Sequence, residues 1–128
     1  MCLTLNNYSK IVIAEEDIIC YKVLRVFSTG GIEAPFRKFQ YEVGETYHTD
    51  KRLKKIWDHA NGVYVIKKGF HSFPHHIDAV SFNKRILPYT LNSKVYKCII
   101  PKGTRMILGH FYGMPSIVSE TIKIIERV

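Results

Sequence analysis

The densest run of polar chemistry in the chain is Gly69-Phe70-His71-Ser72-Phe73-Pro74-His75-His76, with His71, His75 and His76 close together. A zinc site needs about four ligands in tetrahedral array, and no cysteine stands nearby in sequence to complete one. His75 and His76 would also diverge on a helix. The segment therefore reads as a turn in which His71 is hydrogen-bonded and the other two are exposed, with no metal and no cofactor expected. Lys68-Gly69-Phe70 begins like a ribonucleoprotein motif. Pro74 then breaks the pattern, because proline removes a ladder hydrogen bond, and the strand is not expected to continue through His71-Ser72-Phe73. Glu120 is the one acid in an apolar and hydroxyl stretch, Ile117–Ile122, which makes it a candidate for acid–base work or else the solvent face of a final strand. Cys2, Cys20 and Cys98 are odd in number and contain no CxxC pair. Cys20 and Cys98 lie among apolar residues and are expected to be small buried hydrophobes in a reducing compartment. A GxSxG elbow, a Walker loop and a Gly-rich dinucleotide turn are all missing from the sequence.

Charge gives a second candidate. The formal net charge is +8, from 19 Lys and Arg against 11 Asp and Glu, a field that attracts nucleotides, nucleic acid or an acidic protein face. It is concentrated at Lys51, Arg52, Lys54 and Lys55, with smaller pairs at Lys67–Lys68 and Lys84–Arg85. This cluster is the candidate anion-binding site, in competition with a merely solvated face.

The elements that must position these groups are mostly strands. The 128 residues fit one domain, 1–128, and with 46% hydrophobic residues they exclude disorder. Lys10–Ala14, Ile18–Phe27 and Phe36–Val43 read as strands, the last with Phe39, Tyr41 and Val43 on one face. Further strands are expected at Thr46–His48, Val63–Lys67, Lys94–Ile100, Arg105–Leu108 and Ile117–Ile125, with a loop over Gly109–Pro115. Leu53, Ile56, Trp57 and Ala60 recur at helical spacing, so Asp50–Ala60 is a helix candidate ended by Asn61-Gly62, with a loop or strand excursion as the alternative. A second helix is expected from His75 to about Arg85, capped by Ser72 and burying Ile77 and Val80. The fold class is thus α+β: a mainly antiparallel sheet with one or two short helices in a single compact domain. The apolar runs are too short to span a bilayer, and Met1–Lys10 has no basic segment before an apolar run. A cytoplasmic protein without membrane contact is expected, and a homodimer through an exposed final strand stays open.

Four segments, Ile19-Cys20-Tyr21-Lys22, Phe39-Gln40-Tyr41-Glu42-Val43-Gly44, Gly69-Phe70-His71-Ser72 and Ile99-Ile100-Pro101-Lys102-Gly103-Thr104, occur in an order that resembles small uncharacterised proteins of bacteriophages and Bacteroides-type bacteria. The resemblance runs from about Ile11 to Val128. It implies a phage or prophage accessory binding protein, engaging a host protein or nucleotide-like anion and counteracting antiviral defence, and it carries no catalytic residue with it. A remoter likeness is to ADP-ribosyltransferase-type domains, in which Tyr21-Lys22, His71-Ser72 and Glu120 would occupy the three functional strands. It implies an enzyme acting on a nucleotide, with Tyr21, His71 and Glu120 as the catalytic candidates. Lys22 stands where arginine or histidine is expected, and lysine lacks arginine's bidentate fork.

Overall fold

The computed structural model describes residues 3–5, 9–35, 39–66, 68–87 and 92–128. Among these the chain forms strands β1 (Leu3–Leu5), β2 (Val12–Ile13), β3 (Ile18–Val26), β4 (Ile32–Glu33), β5 (Gln40–Tyr41), β6 (Thr46–His48), β7 (Ile56–Asp58), β8 (Val63–Ile66) and β9 (Phe70–Ser72). Helix α1 (His76–Ile86) follows, then β10 (Ser93–Ile100), β11 (Arg105–Phe111), β12 (Met114–Ser119) and β13 (Thr121–Arg127). The fold is therefore mostly antiparallel sheet with a single short helix, as the α+β reading expects.

The strands make two sheets. One runs β7-β8-β1-β11-β12-β9, with β2 also on β11, and the other runs β5-β4-β3-β10-β13-β6. Period-two alternation sends Cys20 and Leu24 of β3, Cys98 and Ile100 of β10, and Ile122 and Ile124 of β13 inward. There they meet Phe70, Met106 and Ile117 of the opposite sheet. The other face of β3 and β10 presents Val23 and Val95 to α1, which buries Ala79, Phe82 and Ile86.

Several expectations are corrected. Asp50–Ala60 is not helical: Ile56–Asp58 is a strand paired with Val63–Val65, and Trp57 packs on Tyr64 with ring centroids 5.0 Å apart. Asn61-Gly62 is the hairpin turn rather than a helix end. Asp58 takes the Ala60 N–H and the Asn61 amide on its carboxylate, and Gly62 sits at φ +65°. Helix α1 starts one residue later than expected, with His75 at the cap position and no side-chain cap bond, while Ser72 lies in β9. Its buried face is Ala79-Phe82-Ile86, and Ile77 is exposed. Gly109–Pro115 is no loop: β11 and β12 form a hairpin turning at Tyr112-Gly113. Ile117–Ile125 is two strands in different sheets, separated at Glu120. His71-Ser72 does continue a strand, because β9 is an edge strand and Pro74 falls beyond its last ladder position. Cys2, Phe36–Lys38 and Lys67 lie outside the described residues.

Candidate functional site

Strand β3 is the seam between the sheets, and among the described residues one stretch of its outer edge has no ladder partner. Tyr21 exchanges two backbone hydrogen bonds of 2.8 Å with Phe73, just past β9, and Arg25 pairs with Glu33 of β4. By the two-residue period, Val23 between them directs its N–H and C=O to the same edge. Continuing the β4 register places Pro35 opposite Val23, and proline has no N–H to give. Among the described residues no backbone hydrogen bond reaches Val23 from that side. Val23 is also among the residues lining a cleft of about 110 Å³. Val23 is buried, so an unmet donor and acceptor there would each cost about 1–3 kcal/mol.

Lys22 is the charged group of this cleft. Its side chain shares the inward face of β3 with Cys20 and Leu24 and is only 7% exposed. The ammonium donates to the His71 carbonyl and lies 5.6 Å from the centre of the Tyr41 ring. Phe39, with ring centroids 4.8 Å from Tyr41 and 5.7 Å from Phe70, adds a flat aromatic wall at the mouth. Ser72, on the β9 side, has a buried hydroxyl with no hydrogen-bond partner among the described residues. Among the described residues the cleft therefore combines the Val23 edge, one cation, an aromatic wall and the Ser72 hydroxyl, which also lies within reach of the Cys20 thiol. That combination suits a planar polar ring carrying negative charge.

The thiols next to Lys22 are inert. Cys20 and Cys98 are cross-strand partners with no exposed surface. Burial pushes the Cys20 thiol up to about 11 and that of Cys98 up to about 12, the latter with a further contribution from neighbouring Cys20. Neither is a nucleophile at neutral pH.

The three candidates Tyr21, His71 and Glu120 are not gathered at one point. His71 lines the cleft from β9 and supplies the carbonyl that holds Lys22. Tyr21 turns the other way, its ring 5.0 Å from that of His76 on α1. Glu120 sits at the corner between β12 and β13, where Oε2 accepts from Arg105 Nε at 3.0 Å and from the Leu53 N–H at 2.9 Å. No carboxylate is among the described residues lining the cleft. Of the basic cluster, Lys51, Arg52 and Lys54 are exposed. Lys55 is used internally, donating to the Ser9 carbonyl at 2.8 Å with its ammonium 4.7 Å from the Tyr64 ring centre. Lys68 takes its place beside Lys51, and contact with that second ammonium lowers the Lys68 pKa.

The sequence names Lys22 only beside Tyr21 in the ADP-ribosyltransferase likeness and does not single out Val23, although Lys22 stands in a strand whose alternate residues are Cys20, Leu24 and Val26. A lysine on the buried face of a strand is a pattern violation that sequence can reveal. The Val23 edge is not legible in sequence, because its pairing depends on how a distant segment, the one ending at Pro35, continues past β4. Comparison with protein-family models, with curated proteins and with solved structures finds no match. No helix among the described residues is long and apolar enough to cross a membrane.

Proposed function

We propose that this chain is a binding protein whose cleft takes a nucleotide-like anion. The observation that carries the reading is the Val23 edge, which no backbone hydrogen bond reaches among the described residues, buried beside the Lys22 ammonium. A planar ring with adjacent donor and acceptor would complete the broken ladder, stack against Phe39, and place its first anionic group at Lys22. Three of the four segments that resemble phage and Bacteroides proteins contribute here: Lys22, Phe39 with Tyr41, and Gly69–Ser72. A phage or prophage accessory role, in which a host signalling nucleotide is sequestered, is consistent with such a site. We favour binding over ADP-ribosyl transfer because Glu120, the acid that chemistry would require, is committed to Arg105 and Leu53.

The test is thermal unfolding with a panel of nucleosides, nucleotides and cyclic dinucleotides. A ligand present at 100 times its Kd should raise stability by about 2.7 kcal/mol. Lys22→Met keeps side-chain length without the charge, so it should abolish the shift given by charged members of the panel. A panel that moves the melting temperature of neither protein would overturn the reading.

A further inference from the structure

The cleft has two ends, one on each side of β3. Lys22, Tyr41 and Phe70 line it from the inner layer, where Tyr41 and Phe70 belong to the same buried cluster as Cys20 and Leu24. Val23, Phe73 and Phe82 line it from the layer between β3 and α1. Successive residues of a strand face opposite sides, so a cleft touching both Lys22 and Val23 reaches both layers. It does so where the Tyr21–Phe73 backbone pair has ended and the Arg25–Glu33 pair of β4 has not begun.

The two ends differ in chemistry. At the inner end Lys22 carries the only ammonium or guanidinium among the described lining residues, and none of them carries a carboxylate. At the helix end Phe73, Phe82 and Phe111 form a trio. Their ring centroids lie 5.5 Å, 5.3 Å and 6.4 Å apart, with mutual tilts of 48°, 78° and 54°. Tilted rings present both faces and edges, which is the arrangement in which a further aromatic ring packs well. One cation can neutralise one negative charge. A second charge carried into a cleft walled by aromatic rings would lose its water and gain no partner, which opposes binding.

We propose that the ligand is a singly charged aromatic molecule that passes the Val23 edge, with its anionic group at Lys22 and an apolar substituent of its ring among Phe73, Phe82 and Phe111. The assignment rests on the reading of the cleft as a site for a planar anion, and it narrows that class. Among nucleotides it selects a phosphodiester with one charge, such as a cyclic monophosphate, over a triphosphate. An apolar ring substituent adds affinity, because it is buried at the helix end.

The full chain is titrated by calorimetry with nicotinate, with nicotinate bearing a phenyl group para to its carboxylate, and with the uncharged amide of that phenyl acid. Cyclic AMP and ATP form a second series, and both are run on the wild type, Phe82→Leu and Lys22→Met. In the wild type the phenyl acid should bind about tenfold more tightly than nicotinate. The amide should bind about tenfold more weakly than the phenyl acid, and ATP about tenfold more weakly than cyclic AMP. Phe82→Leu should weaken the phenyl acid about threefold to tenfold and leave nicotinate unchanged, a split that general loosening of the fold would not give. Equal affinity for nicotinate and the phenyl acid in the wild type overturns the two-ended ligand, as does an equal loss of both in Phe82→Leu. ATP bound as tightly as cyclic AMP overturns the single charge. In these cases the anion cleft stands, because Lys22→Met still abolishes binding. Phenyl-acid binding of the expected pattern with no nucleotide bound keeps the two-ended assignment, for an aromatic carboxylate, and overturns the nucleotide-like reading. Wild-type affinities retained in Lys22→Met, or no binding of any compound, overturn both.

Discussion

Lys22 shows how a single residue can be costly to the fold and informative about function. Its ammonium is stripped of most of its water and held by the His71 carbonyl. Burying such a charge opposes folding unless partners compensate. Lys22→Met relieves that penalty and leaves the His71 carbonyl without this donor, two effects that oppose each other at about 1–3 kcal/mol. The melting temperature of the unliganded variant should therefore change little, which makes loss of ligand binding readable as a site effect rather than unfolding. Glu120 is the opposite case. Glu120→Ala removes the acceptor for both Arg105 and the Leu53 N–H and should destabilise the chain by about 2 kcal/mol in denaturant titration. A variant as stable as the wild type would remove its structural role. Sequence marked Glu120 as unusual for a sound reason, an acid among apolar neighbours. It could not show that the chain changes sheets there, which turns a strand-face residue into a corner brace.

At the level of elements, local signals suffice where chemistry and geometry have one solution, as in β3 and β10. They failed where one signal serves two structures. Leu53, Ile56, Trp57 and Ala60 have helical spacing, and Asn61-Gly62 suits either a helix end or a hairpin turn. Pairing with β8, and the Trp57–Tyr64 contact that comes with it, selects the hairpin. The stretch from Ile117 to Ile125 likewise conceals a break: Thr121, Lys123 and Ile125 alternate with Ile122 and Ile124 in β13, whereas β12 is buried on both faces and pairs in the other sheet. Gly69 joins these elements. Gly69→Ala must take a positive φ and displace Leu53 and Val118, so it should cost about 2–4 kcal/mol. Urea unfolding measures this, and a loss below about 1 kcal/mol would mean that Leu53 is not seated against Gly69.

For the molecule as a whole, the inner layer between the sheets makes stability depend on alkaline pH. Cys20 and Cys98 face each other across β3 and β10 at the centre of that layer. In the unfolded chain their thiols ionise near 9.0, whereas in the fold they keep their protons to about 11 and about 12. Below pH 9 both states are protonated, so the thiols contribute no slope. Above it the unfolded chain releases protons that the native state retains, and unfolding becomes easier as pH rises. Each thiol should add up to about 1.4 kcal/mol of lost stability per pH unit from 9 until its folded value is reached. Lysines and tyrosines titrate in the same window, so the measurement is a difference between the wild type and Cys20→Ala/Cys98→Ala. The double variant starts less stable at pH 7, because two cavities open between the sheets. Its stability should nevertheless fall less steeply between pH 9 and 11. Parallel curves would show that the thiols ionise at the same pH in both states and that the inner layer admits water at its centre. Such access would also weaken the cleft, since Lys22 shares its face of β3 with Cys20 and needs the same dry surroundings to hold an anion strongly.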